Sequence, residues 1–587
     1  MAPDQPINSQ VKIEPGDSQR YAIVDEKLRQ FGYRREALLE ALNTAQEAYG
    51  YLSEDVLRYI SDQLSTPLSQ VYGVATFFNM FTFEAVGESR LLVCNDPACG
   101  IAGSDEVIKA LRQHAKSKTS GSVMIEEATC LGLCDQAPAA LVNQEAFVEL
   151  EASSIEALFS GVGTKSKLQV SGEPQILTGR IGKIKPLDLE GHRADGAFSA
   201  LEKALTEMTP DDVIEAVKSS GLAGRGGAGF PTGLKWQFTR QASGSPKYVV
   251  CNFDESEPGT FKDRVMMEGD PFRVLEGMIL AGYATGADQG TIFVRAEYPE
   301  AAKIVEEAIK ELRKAGLIGE NILGSGFDFE AVVRHSAGAY ICGEETALFE
   351  AIEGKRGFPR TKPPFPTTHG LFGKPTAINN VETLALIPEI VMHGGGWFRQ
   401  WGTEKSPGIK LFCLSGHVNK PGVVELPYGI TLRKAIEQHG GGFKGEPQAV
   451  LMGGAAGGLL HPDYFDTPLT HEDMQALDLP IGSGVVMVFN QDVELLNVLK
   501  RLARFFMHET CGQCVPCRVG TRQAYKLLDK IAAGEGQRED VDRLEHLANS
   551  MRAMGLCGLG QTAPSPILSS FQYFREIYPQ GDYSSSG

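Results

Sequence analysis

The stretch Gly221-Leu-Ala-Gly-Arg-Gly-Gly-Ala-Gly-Phe-Pro-Thr-Gly-Leu-Lys-Trp-Gln-Phe238 is a glycine-dense loop followed by a cation and bracketed by phenylalanines. Gly224, Gly226 and Gly229 satisfy G-x-G-x-x-G, in which missing side chains let backbone N–H groups approach phosphates. A dinucleotide-binding Rossmann unit needs a strand just upstream, yet the apolar residues of 211–218 recur at helical spacing. The stretch therefore reads as a phosphate cradle of another kind, with Lys235 for charge and Phe230 and Phe238 to stack on a flat heterocycle. An ordinary glycine-rich surface loop is the competing reading.

Downstream, the strand-like Lys247-Tyr-Val-Val-Cys-Asn-Phe253 ends in Asp254-Glu-Ser-Glu-Pro-Gly-Thr-Phe-Lys-Asp-Arg264, where four of eleven residues are carboxylates. Ends of strands are where α/β proteins place ligand groups; carboxylates there accept from ribose or ribityl hydroxyls and repel an extra phosphate. Three more runs look functional: Ser336-Ala-Gly-Ala-Tyr-Ile-Cys-Gly-Glu344-Glu345-Thr, Arg360-Thr-Lys-Pro-Pro-Phe365 and Ile378-Asn379-Asn380-Val-Glu-Thr383. The last offers amides to a flavin ring or its ribityl chain.

Eight of the eleven cysteines cluster, which in a reducing compartment points to metal ligands rather than disulfides. Cys94, Cys99, Cys130 and Cys134 form two short-spaced pairs at strand ends and suit a [2Fe–2S] rhomb; a structural zinc is the alternative. Cys511, Cys514 and Cys517 at C-x2-C-x2-C, with Cys557 forty residues on, suit a [4Fe–4S] cubane, zinc again being the alternative. Cys251, Cys342 and Cys413 lie in apolar runs and read as buried structural thiols. His335 and His508 read as satisfied polar groups, and Asp96 and Asp135 as tuners of cluster potential, or as bystanders if exposed. Clusters carry one electron and a hydride carries two, so a flavin is required between them.

The chain has 587 residues, 42% of them hydrophobic, enough for three to five domains. Its 74 acidic against 56 basic residues, a net charge of -18, argue against nucleic acid as partner. No apolar run reaches the roughly 20 residues of a membrane span, and Met1-Ala-Pro-Asp-Gln-Pro lacks signal-peptide character, so the expected location is the cytoplasm. The expected order is a disordered lead-in (1–20), a helical bundle (21–75) in which Ser53 caps a helix, and the two-pair cysteine domain (76–160). A linker (161–197), the glycine-loop domain (198–407), a small α+β module read as a spacer or docking unit (408–490), a helical segment with the second cysteine set (491–575) and a tail (576–587) follow.

Gly224-Arg-Gly-Gly-Ala-Gly-Phe-Pro-Thr-Gly-Leu-Lys-Trp, the 254–264 acidic run, Ala339-Tyr-Ile-Cys-Gly-Glu-Glu and the C-terminal cysteines resemble the NADH-oxidising flavoprotein subunit of the complex I family. Residues from about 22 to 160, with Val71-Tyr-Gly-Val-Ala-Thr-Phe-Phe, resemble that family's separate thioredoxin-like [2Fe–2S] subunit, here fused in front. The resemblance implies an α/β and α+β multidomain chain: helical bundle, thioredoxin-like domain, Rossmann-like FMN/NADH domain, soluble-ligand-binding β-grasp domain and a four-helix bundle around the [4Fe–4S] cluster.

It also implies roles. Gly224, Arg225, Gly226, Gly227, Lys235, Asn252, Asp254, Glu255, Asn379, Asn380 and Thr383 would hold FMN, with Tyr340, Gly343 and Glu344 lining the pocket. Phe230, Phe238 and Phe365 would stack NADH, Lys362 would contact it, Glu257 would lie near the nicotinamide, and Glu345 would face the adenosine ribose and disfavour NADPH. Hydride transfer between NAD(H) and FMN would be followed by single-electron steps to the C-terminal cluster, the [2Fe–2S] cluster being a side store, with no side-chain acid or base required. Leu556-Cys-Gly-Leu-Gly-Gln-Thr-Ala-Pro564 looks like the diaphorase subunits of NAD-linked hydrogenases and formate dehydrogenases. That implies an iron–sulfur partner subunit and a hydrogenase or formate dehydrogenase module. Complex I itself, an electron-bifurcating relative and a cofactor-free scaffold are the alternatives.

Overall fold

The computed structural model describes residues 18–85, 87, 89–117, 123–159 and 161–579; the lead-in through residue 17 and the tail from 580 lie outside them. Four helices open the described chain, Ser18–Gln30, Leu38–Tyr49, Glu54–Gln63 and Leu68–Ala75. The Ser53 side chain accepts from Val56 N and starts the third, as a serine ahead of an apolar periodic run should. Helix 18–30 begins inside the stretch read as lead-in, because Val24 and Leu28 are buried against the bundle.

Next comes a sheet of β1 (Ser89–Cys94), β2 (Val123–Ala128), β3 (Ala140–Val142) and β4 (Glu145–Phe147), in the order β2-β1-β3-β4. β1 runs parallel to β2 and antiparallel to β3. The helix Ser104–Ser117 makes the parallel crossover.

The stretch read as a linker is built into the fold, which corrects that expectation. It supplies β5 (Val170–Gly172), paired in parallel with the later strand Gly422–Pro427. It also forms a buried polar knot in which Asp270 meets His192 (3.3 Å), Arg273 (3.3 Å) and Arg180 (3.6 Å). Against the burial penalty, these partners hold Asp270 down at about 2. Turn residues here mark tight, anchored geometry and not a free tether.

The flavin-type domain is a four-stranded, all-parallel sheet, β6 (Tyr248–Phe253), β7 (Gln289–Val294), β8 (Glu330–His335) and β9 (Thr376–Asn380), ordered β8-β7-β6-β9. Helices Pro271–Thr285 and Val381–His393 pack on it and on each other. Strands β6, β7 and β9 are mostly buried, as a parallel sheet covered on both faces requires, whereas the edge strand β8 is partly exposed. Helix Pro210–Ser220, capped by the reciprocal Thr209–Asp212 pair, precedes the glycine loop; no strand does. The loop closes on itself through Gly224 N to Phe230 O (2.9 Å) and Thr232 N to Leu222 O (2.9 Å), then starts helix Thr232–Gln241.

The third sheet holds β10 (Ile409–Gly416), β11 (Gly422–Pro427), β12 (Pro447–Met452), β13 (Gly458–Leu460) and β14 (Val485–Asn490), in the order β13-β12-β14-β10-β11-β5. Helices Leu495–Glu509, Val515–Ala532, Arg538–Met554, Gly558–Thr562 and Ser565–Tyr573 follow, and Tyr578, within the stretch read as tail, is buried against Phe571.

Candidate functional site

The C-terminal ends of β6 and β9, two neighbouring parallel strands, put Asn252 beside Asn380 and Cys251 beside Asn379 in register. Asn379 is buried with both amide atoms unpartnered, and Asp254 is buried with both carboxylate oxygens unpartnered. Burial pushes Asp254 well above the usual carboxylate range. Buried polar groups are paired in almost all proteins, so two orphans at adjacent strand ends mark a place for a polar ligand. Asn252 is spent differently: its amide donates to Gly343 O (2.8 Å) and accepts from Asp254 N (3.1 Å), closing the acidic loop onto 340–343.

The glycine loop stands over these ends. A methyl at Gly226 would sit 3.1 Å from Asn380 Cβ, and one at Gly343 would sit 3.3 Å from Asp254 O, so both glycines admit close backbone approach. Lys235 reaches under the loop to Ile378 O (2.8 Å), and burial pulls its ammonium below the ordinary lysine range.

Several of the expected ligand residues have side chains engaged within the protein. The Arg225 guanidinium points away from the strand ends into the third sheet, donating to Tyr428 Oη (2.9 Å) and Pro407 O (3.3 Å), while its backbone N donates to Thr383 Oγ1 (2.8 Å). Glu255 accepts from Asp263 N (2.9 Å), Arg264 N (3.0 Å) and Tyr298 Oη (3.1 Å), so it starts helix Lys262–Gly269; burial raises it to about 8. Asn380 caps helix Val381–His393 through Glu382 N (3.0 Å) and donates to Asp263 (2.6 Å). Glu344 likewise caps helix Glu345–Ile352. Tyr340 N donates to the buried Glu509 (2.7 Å), and its ring packs on Phe505 and Phe506, joining this domain to the helix that precedes Cys511.

The three aromatic rings expected to stack on a nucleotide are left open. Phe230 is 47%, Phe238 47% and Phe365 57% exposed, and the short helix after Phe365 packs on helix Thr232–Gln241. Beside them Lys362 bridges Glu344 (3.0 Å) and Glu345 (2.5 Å), so the charge at Glu345 is already half-answered by a cation.

The third sheet meets this domain through buried charge that the motifs do not announce. Glu382 binds Lys262 (3.1 Å), Lys410 (3.3 Å) and Leu411 N (2.8 Å), and Lys262 also binds Asp263 (2.6 Å). Burial lowers Lys410 to about 8, whereas Asp263 and Glu382 overcome burial and raise Lys262. Its one signature in the sequence is an unusual Glu and Lys within apolar runs.

None of the eleven cysteines is in a disulfide. Cys94, Cys99, Cys130 and Cys134 are buried together: Cys130 and Cys134 sulfurs lie 3.3 Å apart, and Cys94 engages both Cys99 and Cys130. Arg295 donates to Cys130 O (2.6 Å) and Glu255 O (2.6 Å), and Arg264 to Gly132 O (2.9 Å), seating this domain against the flavin-type domain. Asp96 and Asp135 are buried, not exposed; burial raises both, Asp96 to about 8. Cys511, Cys514 and Cys557 are half-buried and Cys517 buried, all within electrostatic reach of one another, with Gly560 leaving room for Cys517. Cys251, Cys342 and Cys413 are buried, and burial raises their thiols, as structural cysteines should behave. His335 is satisfied by Glu40 and Glu306.

A flavin cradle, exposed stacking rings and two four-thiol sets define an electron-transfer flavoprotein. Family models match in the same order: thioredoxin-like [2Fe-2S] ferredoxin at 24–162, Nuo51 FMN-binding domain at 217–389, SLBB domain at 411–458 and NADH-ubiquinone oxidoreductase-F iron-sulfur binding region at 497–581. A NADH-quinone oxidoreductase subunit of Rhizobium meliloti is 46% identical over 66% of this chain and 92% of its own. The NAD-reducing hydrogenase HoxS alpha subunit of Cupriavidus necator is 34% identical over 94% of this chain and 93% of its own. A crystal structure of NAD+-reducing [NiFe]-hydrogenase superposes with a TM-score of 0.84 at 33% identity, covering 93% of each chain. The chain belongs to the family of NADH-oxidising, FMN- and iron–sulfur-containing subunits of NADH-quinone oxidoreductases and NAD-reducing hydrogenases. Its cofactors are FMN, one [2Fe–2S] and one [4Fe–4S] cluster, with NAD(H) as substrate.

Proposed function

We propose that the chain is the diaphorase subunit of a NAD-reducing hydrogenase, working with an iron–sulfur electron-transfer subunit and a hydrogenase module in the cytoplasm. One observation carries the reading: similarity to the hydrogenase subunit spans 94% of the chain, fused thioredoxin-like module included, whereas the NADH-quinone oxidoreductase relatives align over 65% to 68% of it. Among the described residues no helix is long and apolar enough to cross a membrane, and cysteines grouped as cluster ligands suit a reducing compartment.

Bound FMN supplies the conversion between two-electron and one-electron transfer. The residues that fit it are the backbone of Gly224, Gly226 and Gly227, the Lys235 ammonium, Asn252, Asp254 and Asn379, with Gly343 allowing close approach. Arg225, Glu255, Asn380 and Thr383 act one step back by fixing these elements. Phe230, Phe238 and Phe365 stack the nucleotide, and Glu345 with Lys362 meets its ribose. Orientation, not proton transfer, is what these side chains contribute. Cys511, Cys514, Cys517 and Cys557 hold the outgoing [4Fe–4S] cluster, and Cys94, Cys99, Cys130 and Cys134 the [2Fe–2S] cluster.

Affinity purification of the tagged chain from its own host, with co-purifying chains identified and NADH-dependent dye reduction measured, tests this. A nickel–iron hydrogenase pair with dye reduction is the expected result. A formate dehydrogenase or a membrane quinone reductase in its place would refute the hydrogenase assignment.

A further inference from the structure

The acidic loop after β6 is gripped by the β-grasp sheet. Glu257 accepts from Ala456 N (2.9 Å) with one oxygen and from Ser483 Oγ (2.9 Å) with the other. Ser483 Oγ also lies 2.7 Å from Thr260 Oγ1 and 3.1 Å from Gly453 O. With the Ser483 hydroxyl donating to the Glu257 carboxylate, Thr260 is the donor of that short pair, so one serine ties both Glu257 and Thr260 of the loop to the sheet. Two glycines make the approach possible. A methyl on Gly454 (φ +108°) would lie 2.4 Å from Glu257 Cδ, and one on Gly482 (φ +57°) 2.2 Å from Gly453 O. On its other side the Gly482–Ser483 peptide meets the tip of the glycine loop, about 4 Å from where a Gly227 methyl would be (3.8 and 4.0 Å). Glycine loop, acidic loop and β-grasp turn therefore converge at Ser483, which is itself buried.

We infer that the β-grasp module forms a third wall of the nucleotide site, with Ser483 a positioning residue that fixes the Glu257 carboxylate and thereby seats the nicotinamide end. This rests on the reading of Glu257 as lying near the nicotinamide. The chemistry follows from charge: the ring of NAD+ is cationic, and a carboxylate held in one orientation by two donors favours it more than a freely rotating one. The module thus does more than dock partners.

The test uses the full chain loaded with FMN and clusters, and compares calorimetric dissociation constants for NAD+ and for ADP-ribose, which lacks the nicotinamide ring. Glu257→Ala should raise the NAD+/ADP-ribose ratio about tenfold, and Ser483→Ala about threefold to tenfold, the range of one ordinary hydrogen bond, because the serine acts on the ring only through the carboxylate. The double variant should match Glu257→Ala, because the serine acts only through the carboxylate. Gly454→Ala, which crowds Glu257, should move the ratio the same way. A ratio that shifts in Glu257→Ala but not in Ser483→Ala overturns the inference and leaves the Glu257 reading standing; so does a Ser483→Ala effect that persists in the double variant or weakens both ligands equally. An unchanged ratio in Glu257→Ala refutes the Glu257 reading and the inference with it.

Discussion

Replacing Glu382 by Gln isolates the charge at the seam between the flavin domain and the β-grasp sheet. The amide oxygen still accepts from Leu411 N, so the backbone contact survives, while an NH2 group takes the place of the oxygen that accepts from Lys262 and Lys410. Lys262 keeps Asp263 at 2.6 Å and loses one of two carboxylates, about 1.5–3 kcal/mol for a charged hydrogen bond. Lys410 keeps only Arg225 O, at 3.4 Å. It can escape by deprotonating: from a value of about 8, neutralising it at pH 7 costs about 1.4 kcal/mol, which caps its share. The expected loss is about 3–4 kcal/mol at pH 7, shrinking to about 2 at pH 9, where Lys410 is mostly neutral already. The sign for the wild type follows. Lys410 binds its proton more weakly folded than unfolded, so its contribution to stability rises from pH 8 toward 10.5. All three tryptophans, Trp236, Trp397 and Trp401, lie in the 198–407 region, so guanidinium unfolding followed by tryptophan emission reads this domain. A loss below about 1 kcal/mol, or one independent of pH between 7 and 9, would refute the argument.

Further outcomes are expected. Against the burial penalty, Glu306 and Glu40 raise His335 to about 10, so its docking of the helical bundle is fully present below pH 6.5 and fades as pH rises through 10; His335→Ala should cost about 1 kcal/mol at pH 6, given its partly exposed ring, and nothing near pH 11, by thermal unfolding. Phe230→Ala and Phe365→Ala should each raise KM for NADH roughly fivefold to tenfold, with kcat at saturating NADH moving less. Cys557→Ser should lower chemically determined iron from about six to about two atoms per chain, with FMN retained; full iron content would deny Cys557 its ligand role.

The parts most legible in the sequence are those whose chemistry is local. Cysteine spacing picks out both thiol sets, and the helix before Gly221 excludes a Rossmann unit, because spacing and periodicity survive without knowledge of the fold. Direction is not legible. Arg225 and Glu255 sit inside ligand-like motifs, yet one turns into the neighbouring sheet and the other starts a helix, since which way a side chain leaves a loop depends on contacts some 200 residues away for Arg225 and on the following turn for Glu255. The segment 161–197 resembles a tether because turn residues dominate it, and its pairing with β11 is set by a strand some 250 residues later. For Asp96 and Asp135, neighbouring residue types alone say nothing of burial.

Strand β5 has a consequence for how the two halves came to share one chain. Val170–Gly172 covers the outer edge of β11, and Glu425 of that strand collects the amides of Ile176, Leu177 and Thr178. Cutting the polypeptide between the thioredoxin-like and flavin halves on the far side of this segment would bare a row of unpaired backbone groups, an invitation to edge-to-edge aggregation. Fusion at this point fixes a one-to-one stoichiometry and turns assembly of the two redox modules into an intramolecular event that no dilution can reverse.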